Sequence, residues 1–233
     1  MKEKKFQALA NRKLIVTADG STSIFDGATG ESFHSVNGAY TESMLVFIEN
    51  GLEFRKQQAP STQYRILEIG FGTGLNAWLS LKKGEEWQQL IDYTAIEAFP
   101  LEMDLATKLN FIQNAENHKN DQYFMALHTS VWGETVPIST YFTLTKLHQN
   151  ISDYQNEEGS FDVIYFDAFS PNVQPELWTE EIFLKLYHSL KSGGVLVTYS
   201  ARGDVKNALR SVGFIVKRLP GPPGKRHVIR VFR

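Results

Sequence analysis

The segment RILEIGFGTGLNAWLSL, from Arg65 to Leu81, constrains the fold more than any other part of the chain. An apolar run leads into three closely spaced glycines, Gly70, Gly72 and Gly74, and a helical pattern follows them. A glycine-rich turn between a strand and a helix lets the backbone approach a ligand closely. The segment therefore predicts a strand, a ligand-binding loop and a helix in direct succession.

From Tyr64 onwards, strand patterns alternate with helical patterns, which is typical of a mostly parallel sheet with helices on both faces. Strands are expected in the stretches YRILEIG, IDYTAIEA, ISTYFTLTKLH, FDVIYFDAF, GGVLVTYS, FIVKRL and HVIRVF. Helices are expected at Leu75–Lys83, from Pro100 onwards, near Asp121–Val131, at Pro175–Leu190 and at Arg202–Gly213. The last two strands form a hairpin, which adds an antiparallel edge strand to the sheet.

The residues before this alternating region predict a small extension. Asp19-Gly20 lies between two strand patterns and is a good hairpin signal. A helix is expected at about Tyr40–Arg55, with an apolar face made of Met44, Leu45, Phe47, Ile48 and Leu52. We therefore predict an α/β chain with a β-hairpin and helix extension over residues 1–60 and the sheet domain over residues 61–233.

The glycine spacing, G-x-G-x-G, excludes two common phosphate-binding loops. No Gly-Lys-Ser/Thr follows, and the dinucleotide fingerprint G-x-G-x-x-G has its third glycine one residue later. The carboxylate of Glu68, just before the loop, would repel a pyrophosphate but attract an ammonium group. S-adenosyl-L-methionine carries such a group and a sulfonium, and Glu97, at the end of the next strand, can accept both ribose hydroxyls. A structural turn with two surface acids is the alternative.

Asp167 is the candidate catalytic residue. It follows the buried run VIYF and so lies at the carboxyl end of a strand, where open α/β sheets bind their ligands. Methyl transfer to an amine requires a neutral nitrogen whose lone pair points at the methyl carbon. A carboxylate that accepts an N–H bond fixes that direction. The alternative interpretation is that Asp167 caps the segment after its strand.

A polar segment, GESFHSVNGAYTES, precedes the first predicted helix. His34 and Glu42 are its candidate functional residues, and the segment could fold over the cofactor pocket as part of a lid. Equally, it could be a capped loop that leads into the helix.

Composition limits the other functions. The chain has no cysteine, so disulfides, zinc–thiolate sites and cysteine nucleophiles are excluded, and the absence fits a reducing cytosol. The stretch MKEKKFQALANRK lacks the apolar core of a signal peptide, and no apolar run approaches the ~20 residues of a membrane span. The 26 acidic and 24 basic residues nearly balance, so the total charge predicts no partner. We expect a cytoplasmic protein with no metal and no membrane association.

Together these motifs resemble one family, the methyltransferase domain of the bifunctional tRNA 5-methylaminomethyl-2-thiouridine biosynthesis protein (MnmC-type), in its stand-alone form, also called MnmD. The glycine motif is shared by most enzymes that use S-adenosyl-L-methionine, whereas GAYTES, DAFSP with PELW, and PGPPGKR are far more specific. The matching segments run in order over nearly the whole chain: VTADGSTSIFD, ESFHSVNGAYTESMLVFIENGL, LEIGFGTGLN, IEAFPL, DAFSPNVQPELWTEEIF, GGVLVTYSARGDVKNAL and GFIVKRLPGPPGKRHVIRV.

The resemblance implies a Rossmann-like fold and N-methylation of 5-aminomethyl-(2-thio)uridine at the tRNA wobble position, giving the 5-methylaminomethyl form. It implies that Asp167 is catalytic and that Asn150 contacts the adenine, where the family would have an acid. Bifunctional members carry a further flavin oxidoreductase domain, for which this chain has no room, so the aminomethyl group would come from elsewhere in the cell. The implied cofactor-binding residues are Glu68, Gly70, Gly72, Thr73, Gly74, Asn76 and Glu97.

A tRNA substrate requires positive charge near the pocket. Basic residues cluster in the C-terminal third, at Arg202, Lys217, Arg218, Lys225, Arg226, His227, Arg230 and Arg233. Lys225 and Arg226 are the predicted tRNA contacts, and the target base is expected to leave its stack. Candidate contacts to the base are His34, Glu42, Phe169, Ser170, Pro171 and Tyr199, while Trp178 is expected in the core.

Three other functions stay open at this point. A methyltransferase of a small amine or a protein would keep the pocket and lose the basic surface. An aminopropyltransferase of the spermidine-synthase kind would share the fold and use decarboxylated S-adenosyl-L-methionine. A non-catalytic RNA-binding module would have kept an inactive pocket.

Overall fold

The computed structural model describes residues 11–111, 119–155 and 158–233. Eleven strands lie in these ranges, three in a small N-terminal sheet and eight in the central sheet. The small sheet contains β1 (Arg12–Val16), β2 (Thr22–Asp26) and β3 (Glu31–Ser32). The central sheet contains β4 (Gln63–Ile69), β5 (Leu90–Glu97), β6 (Thr135–Ser139), β7 (Phe142–His148), β8 (Phe161–Phe166), β9 (Leu190–Thr198), β10 (Ile215–Pro220) and β11 (His227–Phe232).

Helices flank this sheet. The first, α1, is continuous from residue 39 to 58: its ends, Ala39–Ser43 and Phe54–Gln58, are α-helical and its middle, Met44–Glu53, is a π-helix. The others are α2 (Leu75–Trp87), α3 (Met103–Ala106), α4 (Lys119–Thr129), α5 (Glu180–Ser189) and α6 (Gly203–Ser211).

The strand order of the central sheet is β10-β11-β9-β8-β4-β5-β7-β6. The five central strands are parallel, and the C-terminal hairpin adds two antiparallel strands beyond β9, as predicted. At the other edge, β6 runs antiparallel to β7. After β4 the chain builds the sheet in one direction, and from β8 it builds in the other. The loops after β4 and β8 therefore diverge, and ligands bind at such a switch point.

The N-terminal extension joins the sheet domain through a shared core. Ile24 and Val46 belong to the same buried cluster as Tyr165 of β8 and Val197 of β9. The predicted boundary at residue 60 lies in the connection between α1 and β4, and the division into two domains stays a prediction because the two parts share this core.

Asp19 fixes the turn of the predicted hairpin and the start of α1. Its carboxylate accepts hydrogen bonds from the Ser21 and Thr41 backbone amides at 3.0 and 2.9 Å, and from the Thr17 hydroxyl at 2.8 Å. These donors hold the pKa of Asp19 below its ordinary value, although burial opposes them. Asp19, a residue of the predicted hairpin turn, therefore also caps the start of α1.

The helical periodicity of α1 differs from the prediction. The expected apolar face included Met44 and Leu45, but the π-helical middle buries Val46, Phe47, Ile48, Gly51 and Leu52. Gly51 lies so close to the sheet that an added Cβ would be 3.0 Å from Val197 and 3.1 Å from Tyr165. The wider π turn brings this glycine face against β8 and β9, and π-helical segments occur frequently at functional sites.

Two other elements differ from their prediction. The helix expected from Pro100 is limited to Met103–Ala106, and the one expected from Pro175 consists of a 3₁₀ turn, Pro175–Leu177, followed by α5. Thr179 caps α5 by accepting a hydrogen bond from the Ile182 amide, so the α-helix begins there. No helix in the described ranges combines the length and the apolar character needed to cross a bilayer.

Candidate active site

The candidate site lies where the loops after β4 and β8 diverge. The Asp167 amide donates a 2.9 Å hydrogen bond to the Ile69 carbonyl, and the Gly70 amide donates one of 2.9 Å to the Ile96 carbonyl. These contacts fix the ends of three neighbouring strands against one another. The glycine loop and Asp167 are therefore brought together by the parallel sheet, as the sequence predicted.

The glycine loop needs its glycines. Gly70, Gly72 and Gly74 have φ values of 93°, 50° and 72°, which other residues rarely adopt. A Cβ on Gly70 would also lie 2.6 Å from the Asp167 carbonyl oxygen. The backbone thus forms a cradle directly beside Asp167, and a side chain there would push the two loops apart.

A cavity of about 720 Å³ opens over this cradle. It lies between the N-terminal extension, the loops after β4, β5, β7 and β8, and the C-terminal hairpin. Its lining is acidic: among the described residues that line it, five side chains are carboxylates and two, Arg12 and Lys225, are cationic. The carboxylates are Glu31, Glu42, Glu97, Asp167 and Glu176. Such a lining favours a cationic ligand and disfavours a phosphate.

Asp167 is held by Asn76, from the first turn of α2. The Asn76 Nδ2 donates a 2.9 Å hydrogen bond to Asp167 Oδ2. Burial and the nearby Glu42 carboxylate raise the pKa of Asp167 to about 7, while the Asn76 hydrogen bond and Lys225 oppose the rise. A carboxylate with a pKa near neutrality can accept a proton and release it again.

Glu68 is not placed as the sequence reasoning expected. Its side chain is fully buried and does not line the cavity. Asn76 lies between Glu68 and the cavity and donates a second 2.9 Å hydrogen bond to Glu68 Oε1. Burial raises the pKa of Glu68 well above its ordinary value. In this structure Glu68 therefore orients Asn76, and its contact with an ammonium group stays a prediction.

Glu97 lies on the cavity wall at the end of β5. Its two carboxylate oxygens accept hydrogen bonds from the Gly72 and Phe99 backbone amides, at 3.0 and 2.7 Å. It therefore ties the glycine loop to the loop after β5. Each carboxylate oxygen can accept a further bond, so the geometry remains compatible with the predicted contact to ribose hydroxyls.

Asn150 also lines the cavity, at the start of a 3₁₀ turn, Ile151–Asp153, that follows β7. The Lys185 ammonium of α5 fixes this turn from behind, donating hydrogen bonds to the carbonyls of Ile151, Ser152 and Tyr154 at 3.2, 2.5 and 3.0 Å. Sequence reasoning did not single out Lys185, because nothing in its helical pattern distinguishes it from a solvated lysine.

His34 joins the N-terminal extension to the glycine loop. Its Nδ1 lies 3.0 Å from Ser23 Oγ and its Nε2 lies 3.2 Å from Thr73 Oγ1. Burial lowers its pKa to about 4, so the ring is neutral at pH 7. His34 lines the cavity, but both ring nitrogens already have protein partners. The geometry indicates a positioning role for His34.

A second histidine supports the glycine loop from below. His128 Nε2 donates a 3.0 Å hydrogen bond to the Thr73 carbonyl, and burial lowers the His128 pKa to about 4. The buried Lys146 ammonium donates a 2.7 Å hydrogen bond to the His128 carbonyl, and burial lowers its pKa to about 8. The loop is thus braced on two sides by neutral imidazoles.

Glu42 and Lys225 meet in the cavity from opposite ends of the chain. The Lys225 ammonium forms an ion pair with Glu42 Oε2 and lies 4.0 Å from the centre of the Tyr199 ring. Glu42 Oε1 accepts a 3.0 Å hydrogen bond from the Ser35 amide. The Tyr199 hydroxyl donates a 2.9 Å hydrogen bond to the Ala168 carbonyl, next to Asp167. This group closes the cavity beside the candidate catalytic carboxylate.

The loop after Asp167 is tied to the extension. The Ser170 hydroxyl donates a 2.5 Å hydrogen bond to Glu31, and the Phe169 ring packs edge-on against Phe33 at 5.1 Å. The Trp178 Nε1 donates a 2.8 Å hydrogen bond to the Phe169 carbonyl, and the Trp178 ring packs on Phe166 in the core. The extension therefore forms one wall of the site, and its action as a lid stays a prediction.

Of the predicted site residues, most line the cavity and four do not. Thr73, Asn76, Glu97, Asp167 and the remaining lining residues surround one space. Those outside the lining are Glu68, Gly74, Pro171 and Arg226. Glu31 and Arg12, which sequence reasoning left out of the site, belong to it. Glu31 stands in the polar segment already noted, whereas nothing in the sequence indicates that Arg12 reaches the loop after β5.

The C-terminal basic residues do not form one free surface. The Arg230 guanidinium is buried 3.3 Å from the Phe54 ring centre and donates to the Asn50 carbonyl. Arg233 pairs with Glu158, and Arg202 pairs with Asp204. Arg218 and Arg226 remain exposed. Within the described ranges, no cluster of three or more His, Asp or Glu side chains is placed to hold a metal ion.

Three comparisons place this geometry among known proteins. Residues 113–232 match a family described as S-adenosyl-L-methionine-dependent methyltransferase. The tRNA 5-methylaminomethyl-2-thiouridine biosynthesis bifunctional protein MnmC of Aromatoleum aromaticum is 30% identical over 241 residues, which cover 94% of this chain and 35% of that protein. The chain spans about a third of the length of the curated relatives it matches.

Solved structures share the fold. The crystal structure of MNMC2 from Aquifex aeolicus has a TM-score of 0.79 at 24% identity, and the match covers 95% of this chain and 70% of that chain. Spermidine synthase from Thermotoga maritima has a TM-score of 0.57 at 15% identity, covering 91% of this chain and 68% of that chain. At these identities the likeness concerns the fold alone.

Proposed function

The chain belongs to the family of S-adenosyl-L-methionine-dependent methyltransferases, and on that premise we propose that it methylates the amine of 5-aminomethyl-(2-thio)uridine at the wobble position of tRNA. The product is the 5-methylaminomethyl nucleoside. Curated relatives that match most of this chain are named for 5-methylaminomethyl-2-thiouridine biosynthesis in tRNA. The proposed site of action is the cytoplasm.

The observation that carries the proposal is the acidic cavity beside the glycine cradle. Both ligands of the proposed reaction are cationic at neutral pH, since the cofactor has a sulfonium and an ammonium and the substrate has a primary amine. Glu42 pairs with Lys225 of the C-terminal hairpin in this cavity, and its charge acts on the lining carboxylate of Asp167. A phosphate-bearing cofactor would meet repulsion there.

The residues fit the cofactor. The cradle at Gly70, which a Cβ would fill, gives its amino-acid part close access to the backbone, and Glu97 stands where ribose hydroxyls can be bound. Asn150 stands at the turn proposed to contact the adenine. When bound, S-adenosyl-L-methionine supplies an electrophilic methyl group.

Asp167 orients the amine in the proposed reaction. Its Oδ2 is occupied by Asn76, so Oδ1 is left to accept an N–H bond from the substrate nitrogen. Because its pKa is about 7, Asp167 can take up the proton that a protonated amine must lose before it attacks. Phe169 lines the same space and offers a ring face to a base that has left its stack, whereas the Lys225 ammonium lies on the Tyr199 ring.

Family membership settles two of the alternatives. The chain is a methyltransferase, which leaves the aminopropyltransferase and the non-catalytic RNA-binding module without support. A methyltransferase of a small amine or a protein remains the second candidate, because Asp167 and Glu42 would serve any primary amine.

The experiment compares tRNA with free amines. Purified protein is incubated with radiolabelled S-adenosyl-L-methionine and bulk tRNA from a strain that accumulates the aminomethyl nucleoside, before and after ribonuclease treatment. We expect label in 5-methylaminomethyl-2-thiouridine only with intact tRNA, and loss of at least about a hundredfold in rate for Asp167→Asn. Labelling that survives ribonuclease, or that appears only in small amines, contradicts the proposal.

Fewer basic residues are proposed to contact tRNA than the sequence predicted. Lys225 is engaged with Glu42 inside the cavity, so exposed Arg218 and Arg226 are the proposed tRNA contacts on the hairpin. Arg218→Gln with Arg226→Gln should weaken tRNA binding and reduce the dependence of log K on log salt by about two ion contacts. Unchanged tRNA affinity would remove this surface from the proposal, and affinity for the cofactor serves as the control.

A further inference from the structure

The cavity already contains an alkylammonium group of its own. Lys225 lies in the connection between β10 and β11, and its ammonium enters the cavity to contact Glu42 and the Tyr199 ring face. A carboxylate and an aromatic face together form a site for an organic cation. The arrangement is therefore a built ammonium site, occupied by a side chain.

Glu42 is the anionic part of this site. Its carboxylate is 6% exposed, and the two oxygens are satisfied by different groups: the Ser35 amide binds Oε1 and Lys225 binds Oε2. A carboxylate as buried as this one strongly favours a cationic partner, because an unpaired buried charge is costly. If Lys225 leaves, another cation is needed in its place.

The Lys225 side chain can leave while its backbone stays in position. The hairpin loop is held by hydrogen bonds from the Lys225 amide to the Pro222 carbonyl at 2.9 Å and from the Gly221 amide to the Arg226 carbonyl at 3.2 Å. The side chain is 27% exposed. Lysine rotates on a flexible four-carbon stem, so the ammonium can turn outward without moving the loop.

We propose that Glu42 and the face of Tyr199 form the subsite for the primary alkylammonium group of the substrate, and that Lys225 holds this subsite until the substrate displaces it. The inference rests on the proposed function in taking an amine as the substrate. Tyr199 is tied to the Ala168 carbonyl, so an ammonium in this subsite lies beside Asp167. Glu42 is then the group that selects a cationic amine, and Asp167 the group that orients it.

The test measures binding of n-butylammonium, with n-butanol as its neutral counterpart, to wild type and to three variants at constant ionic strength. Lys225→Met removes the competing ammonium from the subsite, Lys225→Arg keeps a cation in it, and Lys225→Met with Glu42→Gln also removes the negative charge. We expect Lys225→Met to bind n-butylammonium about tenfold or more tighter than wild type, with no gain for n-butanol. Lys225→Arg and the double variant should show no gain.

Equal n-butylammonium affinity in wild type and Lys225→Met overturns the proposal, and so does a gain that persists in the double variant. Circular dichroism checks the fold, and Lys225→Gln replaces Lys225→Met should the latter fail to fold. The titration needs neither tRNA nor methyl transfer. A wild-type protein inactive on tRNA would therefore contradict the proposed function alone, and an absent ammonium gain would contradict the subsite alone.

Discussion

The side-chain amide of Asn76 donates a 2.9 Å hydrogen bond to the carboxylate of Asp167. The same nitrogen donates a second bond to the buried Glu68. One amide therefore connects the acid in the strand before the glycine loop to the acid at the end of β8. This single side chain links the two strands at the site, and its hydrogen bond lowers the pKa of Asp167 against the effects of burial and of Glu42.

Removing this amide should shift the pH profile. The Asn76 hydrogen bond lowers the Asp167 pKa, which is about 7 with this bond in place, so Asn76→Ala should raise it further. The acidic limb of kcat/KM should then move to higher pH by about one unit, the size of a charged hydrogen bond. Rates are measured from pH 5.5 to 9, with exposed Asn207→Ala as the control; an unshifted limb would contradict the link.

Asp167→Asn should stabilise the protein at alkaline pH. Because the folded-state pKa of about 7 lies above the ordinary value of 3.8, the folded protein binds more protons between these values and loses stability as pH rises through them. The variant removes this loss. Its gain in the free energy of unfolding should be about 1–2 kcal/mol at pH 8 and disappear below about pH 4. Denaturant unfolding at both pH values checks this, and a gain that is the same at both contradicts it.

Gly70→Ala should damage the site more than a comparable glycine substitution elsewhere. Gly70 and Gly20 have similar φ values, 93° and 82°, but only at Gly70 does an added Cβ meet an obstacle, the Asp167 carbonyl at 2.6 Å. We expect Gly20→Ala to lower the free energy of unfolding by about 1 kcal/mol and Gly70→Ala by at least about 2 kcal/mol. Gly70→Ala alone should abolish cofactor binding in calorimetry; equal effects would contradict the cradle.

Lys185→Met should weaken cofactor binding without slowing the chemistry. Lys185 does not itself line the cavity, yet its ammonium holds three carbonyls of the turn that carries Asn150 and Ile151. Loss of these bonds should raise KM for S-adenosyl-L-methionine about tenfold and leave kcat nearly unchanged. Lys13→Met, on exposed β1, is the control. A fall in kcat with constant KM would show that the turn acts on the reaction itself.

Local signals predicted much of the fold. Some elements are formed by residues that are neighbours in the sequence, and the structure contains those that were predicted in this way. They are the Asp19-Gly20 turn, the strands of the alternating apolar stretches and the glycine loop. The π-helical middle of α1 was not predictable, because its periodicity depends on the close approach of Gly51 to β8 and β9. That approach depends on residues more than a hundred positions away.

The site was harder to predict where contacts join distant segments. Sequence position places Glu68 next to the glycines, but strand alternation turns it into the core, and Asn76 stands in front of it. The sequence predicts Lys225 to be part of a basic surface, whereas in the structure its side chain points inward to Glu42. Both differences concern side-chain direction, which a one-dimensional pattern leaves open.

Glu42 and Lys225 are 183 residues apart in the chain, and they meet in the same cavity. During synthesis on the ribosome, Glu42 is made long before Lys225, because 183 positions separate the two residues. Translation that stops before the final hairpin leaves a buried acid with no counter-charge and a pocket without its closing wall. The wall of the pocket that Lys225 provides therefore forms only after the hairpin that carries this residue has been synthesised.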